Sequence, residues 1–366
     1  DALYLRIRIY QQEGEYGKAL ADVNHAIRVN KPKKTGVEQS TLYWWQSYAY
    51  AGLEDNAKAA AAAGTAYKLA QKEKSEYYRT IAFDYGRALY NIDDLDGSDA
   101  VFRKMLADDE TDAGAMFGLA RNMVKREQYD AAEQMLLSAI RVRESYPQPY
   151  ALLVSVYDKK GEYNKAIDAA IEYVDKDSDA SYRILINAGK KNLNYAIANM
   201  RAKIKTSDKP IYWRALIAEL YYVAGKYELA LKENTKLEEE AGKDRRLHSR
   251  KAQCYRHLGM QEAAIAELDQ ALTDGPDWND LCERGICYRL TGNFDKAIED
   301  FTAAIEEDPR YAFPYYARGW CHELTGRNDL ALEDYNLGID IDQDYPYIFL
   351  ERGLVLKKMG RLDEAR

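Results

Sequence analysis

The sequence predicts an all-α protein in which helical hairpins stack in a row, and two observations carry that prediction. A glycine is followed by an aromatic residue two places later and by alanine five places later, as in Gly161, Tyr163 and Ala166. The equivalent position then recurs at steps of 34, 64, 34, 33, 34 and 34 residues, at Glu127, Gly161, Gly225, Gly259, Gly292, Gly326 and Gly360. A fixed period of this size is typical of a repeat array, in which each unit buries its apolar face on its neighbours.

The composition fits a folded chain and narrows the possible partners. Hydrophobic residues make up 47% of the 366 residues, which is enough for a buried core. The formal net charge of −8 argues against a general binder of nucleic acids or anionic membranes. No run of 18 uncharged apolar residues occurs, so the sequence predicts no membrane span.

The unit at residues 278–310 shows how one repeat becomes a hairpin. Leu281, Gly285 and Tyr288 fall on one stripe of a first helix, because residues three or four places apart share a helix face. Gly292 can adopt a positive φ and ends that helix. A second helix is predicted over residues 295–307, with an apolar stripe of its own. The small residue at position 285 lets the two helices approach closely.

This pattern resembles the tetratricopeptide repeat family. The family prefers a large residue at position 4 of its repeat, Gly or Ala at 8, Tyr at 11, Gly at 15, an aromatic at 17 and 24, and Ala at 20 and 27. Matching units begin at Ala113, Pro147, Ile211, Arg245, Trp278, Ala312 and Pro346. The resemblance implies an all-α, right-handed α-solenoid, a superhelix of about ten or eleven hairpins.

The N-terminal part, residues 1–180, is predicted to be a partly degenerate subarray. It opens with the turn pattern at Gly14, and the unit at residues 79–112 keeps Gly86 and Phe102 but has Asp93 where the family has Gly. The run Ala59–Ala63 indicates a helix with close neighbours. The sequence does not fix the register of residues 38–75.

A boundary is predicted where the repeat loses residues. The units that begin at 147 and 211 are 64 residues apart, whereas two full repeats would need 68. Four residues are about one helical turn, so we expect a shortened first helix around Tyr182–Ala188. This predicts a boundary near residue 180, a bend at residues 181–210 and a C-terminal subarray at 211–366, truncated in its last repeat.

Both ends of the sequence suggest a fragment of a longer protein. Arg366 lies early in the second helix of a repeat, and the chain opens at Asp1 rather than at a methionine. Whether the longer protein carries a targeting segment that is missing from this sequence therefore stays an open question. The compartment is undetermined.

The sequence predicts no catalytic residue, no cofactor and no metal site. Neither a dinucleotide-binding nor a phosphate-binding glycine loop occurs. His322 and Glu323 begin like a zinc-protease helix, but Gly326 stands where the second histidine is required. The four histidines are spread over separate repeats.

The cysteines are predicted to be free and buried. Cys254, Cys287 and Cys321 occupy one position in successive repeats. Equivalent positions on stacked helices lie roughly 8–10 Å apart, whereas a disulfide needs Cα atoms within about 7 Å. Small buried side chains are therefore favoured over bridges.

The candidate partner-binding residues lie on the helix face that carries positions 2, 5, 9 and 12 of each repeat, opposite the apolar stripe. In the family this face lines a concave groove. The candidates are Tyr212, Tyr222, Arg246, Arg256, Arg289, Phe313, Tyr316, Trp320 and Tyr347. Arginine can hold a carboxylate through two hydrogen bonds, and aromatics act as binding anchors. We therefore predict a groove for a peptide or protein segment with an acidic or C-terminal carboxylate element. The alternative left open is that the aromatics pack on neighbouring helices and the arginines pair with local Glu.

The predicted function is a non-enzymatic scaffold that binds a protein partner rather than nucleic acid. The clamp with which some relatives hold chaperone tails is not expected, because position 5 carries no Lys and position 6 no Asn in these units. Two alternatives remain: an assembly module that self-associates into a homo-oligomer, and a docking arm for a catalytic domain outside this chain. Fold alone does not choose among them.

Overall fold

The computed structural model describes residues 2–30, 36–176, 181–242 and 244–365, and within these ranges the regular structure is helical, with no strand. Short turns join the helices, and a 3₁₀ turn at Leu272–Asp274 extends one of them. The α-helices are α1 Ala2–Gln12, α2 Tyr16–Val29, α3 Gln39–Gly52, α4 Asn56–Glu73, α5 Tyr78–Asn91, α6 Leu95–Asp108, α7 Ala113–Lys125, α8 Tyr129–Val142, α9 Gln148–Lys160, α10 Tyr163–Lys176, α11 Arg183–Gly189, α12 Leu193–Thr206, α13 Pro210–Val223, α14 Tyr227–Ala241, α15 Arg245–His257, α16 Gln261–Ala271, α17 Trp278–Leu290, α18 Phe294–Glu307, α19 Ala312–Leu324, α20 Asn328–Ile341 and α21 Pro346–Lys358.

The helices form two compact units, unit 1 at residues 1–191 and unit 2 at residues 192–366. Among its described residues, unit 1 holds five hairpins, from α1–α2 to α9–α10, followed by α11. In the described part of unit 2, α12 comes first, four hairpins follow from α13–α14 to α19–α20, and α21 comes last. Within each unit a helix packs mainly on the helices before and after it in sequence. The predicted all-α solenoid of helical hairpins is confirmed.

The turn inside each hairpin depends on one residue with a positive φ at position 15 of the repeat. Glycine fills this place at most turns, for example Gly161 and Gly292 with φ of 74° and 78°. In unit 1, Glu54, Asp93 and Glu127 adopt φ of 60°, 64° and 59° at the same place. Glu54 thereby fixes the register of residues 38–75, which the sequence left open.

The two helices of a hairpin approach closely because glycine at position 8 lies against an aromatic ring at position 24. A Cβ added at Gly285 would come within 2.8 Å of the Phe301 ring, and one added at Gly118 within 2.4 Å of the Phe102 ring. Gly86 is the position-8 glycine that faces Phe102 within its own hairpin, at 2.6 Å for an added Cβ, whereas Gly118 approaches the same ring from the next hairpin. Both rings are almost fully buried. Since real Cβ atoms do not come this close, the small residue is required by the packing.

Position 7 of the repeat carries a row of charges in unit 2, which we call the ion ladder. Arg284 bonds Asp300 of its own hairpin and Asp269 of the hairpin before, each at 2.7 Å. Arg318 contacts Asp334 at 2.6 Å and donates to the hydroxyl of Thr302 in the preceding hairpin at 3.1 Å. Lys251 likewise contacts Glu267 at 2.7 Å and Glu238 at 2.8 Å. Each rung therefore joins two successive hairpins.

The cysteines are free and buried, as predicted. Burial raises the pKa of the Cys254 and Cys321 thiols to about 11. It raises the pKa of Cys282 and Cys287 to about 12. At neutral pH these thiols are protonated and act as small apolar side chains.

The repeat with missing residues has a short first helix. Helix α11 has 7 residues, whereas the first helices α9 and α15 have 13 each. Its successor α12 keeps 14 residues and buries Ala196 and Met200. Residue 180, where the sequence placed a boundary, lies outside the described residues, as do Asp1 and Arg366. The bend at residues 181–210 stays a prediction.

Candidate functional site

Five aromatic side chains come together on unit 2, and we call them the aromatic cluster: Phe313, Tyr316, Trp320, Tyr345 and Tyr347. Tyr316 and Trp320 are four residues apart on α19 and therefore share a face, with ring centroids 5.9 Å apart. Phe313 lies 6.4 Å from Tyr316, and Tyr345 lies 5.5 Å from it on the other side. Tyr347 of α21 follows at 5.8 Å from Tyr345 and is 61% exposed. Four of the nine predicted site residues thus meet.

Apolar side chains of α21 extend this surface. Leu350 and Leu354 occupy positions 5 and 9 of their repeat, the same positions as Tyr316 and Trp320 one repeat earlier. They are 59% and 48% exposed. Contiguous exposed apolar surface of this kind marks interaction sites more often than chance.

Arg289 joins the aromatic cluster from the preceding first helix, α17. Its guanidinium lies 4.0 Å from the centre of the Trp320 ring. Among the described residues no carboxylate comes within ion-pair distance of it, unlike the neighbouring Arg256. A half-buried guanidinium stacked on an indole keeps its in-plane N–H donors available for a ligand.

Two carboxylates border the cluster. Glu323 lies three residues after Trp320 on α19, and Glu351 lies on α21; both are half-buried, and no basic group pairs with either in the described part of the chain. Partial burial, and then the charge of Glu323, raise the pKa of Glu351. Two like charges near each other in a partly desolvated place make the ionised form less favourable.

A buried hydroxyl lies next to these carboxylates. Tyr335 of α20 is fully buried, and its ring is 6.3 Å from Tyr316. Burial first, and then the charges of Glu323 and Glu351, raise the pKa of Tyr335.

Tyr222 and Arg256 belong to a separate polar group. The Tyr222 hydroxyl lies 3.1 Å from the Nε2 of His257, and that imidazole stacks on Tyr227 at 4.4 Å. Arg256 donates to Glu283 at 2.7 Å. Burial nevertheless raises the pKa of Glu283, and burial lowers the pKa of His257, with a further contribution from Arg256. The guanidinium of Arg256 is therefore held by its own chain.

Tyr212 and Arg246 are not brought into either group. Tyr212 is exposed and its ring lies 6.1 Å from Trp213. Arg246 has an 85% exposed side chain that reaches back to Asp244, the residue capping α15, at 3.4 Å. Of the three predicted arginines, Arg289 is the one that has no carboxylate partner among the described residues.

Sequence reasoning missed an aromatic cavity of about 440 Å³ in unit 1. Trp44 and Tyr77 line it and stack at 6.1 Å, and Glu38 and Glu76 add carboxylates. Trp44 also donates from its indole to Asp84 at 2.8 Å. The sequence signal for this cavity was the aromatic run Tyr43–Trp45. It could not be assigned to a face of its helix because the repeat register of residues 38–75 was not known.

Comparison with known families decides the classification. A family model described as tetratricopeptide repeat matches residues 279–311, and a second model of the same description matches residues 246–273 and 314–345. These residues of the chain are tetratricopeptide repeats. The matched repeats lie in unit 2 and include α15–α20 almost entirely. Tetratricopeptide repeats support a role as a protein-interaction scaffold, and they are typically non-catalytic.

The solved structures that this chain resembles share little sequence with it. A crystal structure of MamA is 21% identical, covering 41% of this chain and 88% of that one, with a TM-score of 0.38. A MamA from Desulfovibrio magneticus RS-1 is 17% identical over 43% and 90%, with a TM-score of 0.40. YrrB, described as having an unusual peptide-binding site, is 17% identical over 69% and 97%, with a TM-score of 0.30. No curated protein matches the sequence.

The helices were also compared with the length and hydrophobicity that a membrane span requires. None of those in the described residues combines the length and the apolar character needed to cross a bilayer.

Proposed function

We propose that unit 2 is a non-enzymatic module that binds a segment of a partner protein in a groove along α17, α19 and α21. The observation that carries this proposal is the aromatic cluster with Arg289 stacked on Trp320. Large aromatic side chains and arginine dominate the energetics of protein interfaces. Leu350 and Leu354 provide further exposed apolar surface beside them.

The groove offers one place for an acidic element of the ligand. Arg246 and Arg256 have carboxylate neighbours in the chain, so Arg289 is the arginine we propose to bind an acidic side chain or a C-terminal carboxylate. Its planar donors can form two parallel hydrogen bonds to a carboxylate while the ring of Trp320 supports its face.

Selection from a library of random twelve-residue peptides tests the proposal. We expect the wild-type protein to enrich peptides with an acidic residue, and Trp320→Ala to weaken the selected peptides at least tenfold. Arg289→Gln should remove the preference for the acidic residue while leaving apolar preferences. Leu337→Ala, at an exposed position of the second helix α20, and Arg310→Ala, with an exposed guanidinium, are the matched controls.

Two results would overturn the proposal: the absence of any enrichment over a repeat-free control protein, and binding by Trp320→Ala that equals the wild type. Circular dichroism and the melting temperature of each variant separate loss of the groove from loss of the fold.

A second candidate function is self-association, with a second copy seated on the exposed face of Tyr347, Leu350 and Leu354. Sedimentation equilibrium over a hundredfold range of concentration distinguishes the two. Association that Leu354→Glu abolishes would favour this candidate, whereas a monomer at every concentration would end it.

A further inference from the structure

We propose that a cavity of about 530 Å³ in unit 1 binds a carboxylate that is attached to an aromatic or branched apolar group. The cavity lies among α5, α6, α7, α8 and the turns beside them, so the inference is independent of the groove on unit 2. Small-molecule sites typically occupy about 300–1,000 Å³. A free organic acid and the C-terminal residue of a peptide both supply this chemistry, and an experiment can separate the two sources.

Aromatic and apolar side chains form much of the cavity wall. The lining includes Phe83, Met105, Val142 and Tyr146. Each of the two aromatic rings also contacts a ring outside the lining. Phe83 lies 5.8 Å from the buried Phe102, and Tyr146 lies 5.7 Å from Phe117. Walls that are already packed in this way need little reordering when a ligand binds, which favours affinity.

Arg79 lines the cavity, but carboxylates of the chain already hold its guanidinium. It donates to Asp112 at 2.8 Å and to Asp109 at 2.6 Å. Hydrogen bonds from Thr111, and then from Arg79, lower the pKa of Asp109 to about 2, so that carboxyl is ionised at neutral pH. The charge of Arg79 is therefore neutralised within unit 1.

Arg143 is the second arginine of the lining, and it has no carboxylate within ion-pair distance in the described part of the chain. Its neighbour Glu144 contacts Lys176 instead, at 3.0 Å. The guanidinium of Arg143 lies 5.5 Å from the centre of the Tyr146 ring. A guanidinium placed over a ring keeps its in-plane N–H donors for a carboxylate, which it can bind through two hydrogen bonds.

Gly114, at position 2 of its repeat, leaves the cavity open. Unit 2 carries side chains as large as Tyr212 at this position. The backbone does not require glycine here, because Gly114 lies in the first turn of α7 and has no positive φ. An added Cβ would lie 3.2 Å from the Oδ1 of Asp112 and 3.5 Å from the Phe83 ring, whereas at Gly118 it would lie 2.4 Å from a buried ring. A side chain at position 114 would therefore occupy the cavity rather than the core.

These features define how the ligand would bind. Its carboxylate would accept hydrogen bonds from Arg143, and its apolar group would fill the space beside Gly114, between Phe83 and Tyr146. A neutral amide of the same shape would keep the apolar contacts and lose the charge-assisted hydrogen bonds.

Isothermal titration calorimetry on the full chain tests this proposal with four probes. They are hydrocinnamate, its neutral amide, isocaproate, and the peptide acetyl-Ala-Ala-Phe with a free C-terminal carboxylate. We expect at least one of the three acids to bind wild type, and the amide to bind at least tenfold more weakly than hydrocinnamate. Binding of the peptide alone would identify the ligand as a chain terminus, and binding of the free acids would identify it as a small molecule.

Two variants locate the binding in the cavity. Arg143→Gln should weaken the acids at least tenfold and change the affinity for the amide less than twofold. Gly114→Leu should abolish the binding of both, because the new side chain fills the cavity. The matched controls Arg28→Gln and Gly17→Leu, at exposed positions of α2, should bind as wild type does.

Several results would overturn the proposal: no binding of any of the three acids at millimolar concentration, equal affinity for hydrocinnamate and its amide, or unchanged affinity in Arg143→Gln. Melting temperatures show which variants are folded, and Arg143→Gln, at an exposed position, decides the question if Gly114→Leu does not fold. Trp320→Ala, which alters the groove on unit 2, should leave the affinity for the acids unchanged. The failure of one proposal is thereby distinguishable from the failure of the other.

Discussion

Units 1 and 2 build the same hairpin with different side chains at position 7 of the repeat. In the last two hairpins of unit 1 this position holds buried leucines, Leu119 and Leu153, whereas in the first hairpin Arg6 pairs with Asp22 as in the ion ladder. In the last three hairpins of unit 2 it holds the bases of the ion ladder, such as Arg284 and Arg318, each against a buried aspartate. The hairpin therefore does not depend on the chemistry of position 7. It depends on the features that both units share, the glycine under an aromatic ring and the residue of positive φ in the turn.

The difference should appear in how the two units respond to the loss of one side chain. A buried leucine contributes through burial and packing alone. A buried ion pair contributes little more than a well-packed apolar pair, yet removal of one partner leaves the other charge buried and unpaired. We therefore expect a single substitution in the ion ladder to destabilise unit 2 by more than the intact ion pair contributes to its stability.

The largest expected effect is at the rung formed by Arg318 and Asp334. Asp334→Ala should lower the free energy of unfolding by about 3 kcal/mol, because Arg318 would lose its partner in a place where the Asp334 side chain is only 4% exposed. Urea denaturation followed by circular dichroism measures the change.

The matched control for this rung replaces both partners. Arg318→Leu combined with Asp334→Leu copies the apolar arrangement of unit 1 and should recover most of the lost stability. If the double variant were as unstable as the single one, the comparison between a charged and an apolar position 7 would be wrong.

A smaller effect is expected at position 15, where the units also differ. Glu127 of unit 1 has φ of 59°, which is costly for a residue with a Cβ, whereas Gly326 of unit 2 has φ of 79° without that cost. Glu127→Gly should stabilise unit 1 by about 1 kcal/mol, and Gly326→Ala should destabilise unit 2 by a similar amount. Shifts of the same sign in the two urea midpoints would contradict this reading of the turns.

The smallest effect is a difference in pH dependence between Asp109 of unit 1 and Asp300 of unit 2. Hydrogen bonds from Thr111, and then from Arg79, lower the pKa of Asp109 to about 2. Its contribution to stability is therefore present above the unfolded pKa of about 3.9 and lost as the pH falls toward 2. Burial raises the pKa of Asp300 in spite of Arg284. Its favourable contribution is present below about pH 3.9 and lost as the pH rises through its raised value.

Melting temperatures of wild type and two asparagine variants between pH 2 and 7 measure this difference. The gap between wild type and Asp109→Asn should close as the pH falls below about 4. The gap between wild type and Asp300→Asn should change in the opposite sense, widening in favour of wild type as the pH is lowered from neutrality. Gaps that are independent of pH would show that neither carboxyl titrates as described.

Most of the fold could be predicted from the sequence because hairpin contacts are local and repeat with the period of the chain. The exception was the register of residues 38–75. Glu54 stands there in place of the glycine that marks the turn, and α4 is 18 residues long, which breaks the 34-residue period. Glu54 adopts a left-handed backbone conformation there, which no local sequence pattern predicts.

The candidate site was less predictable. Tyr316 and Trp320 could be paired from helix geometry, since they lie four residues apart. The partner of Arg256 could not, because Glu283 lies in the next hairpin and the choice depends on distances between neighbouring helices. The buried hydroxyl of Tyr335 beside Glu323 could not be predicted either, since the sequence pattern shows only a large aromatic in its family position.

The rungs of the ion ladder have a consequence for cooperativity. Arg284 is held by acids of two successive hairpins, so the opening of either one would strand a charge on the other. An array with only apolar contacts can fray one hairpin at a time, whereas coupling between neighbours makes unfolding more concerted. Amide protons in the successive hairpins that the ladder joins should therefore exchange through a common opening event, because the ladder couples the unfolding of these hairpins in unit 2.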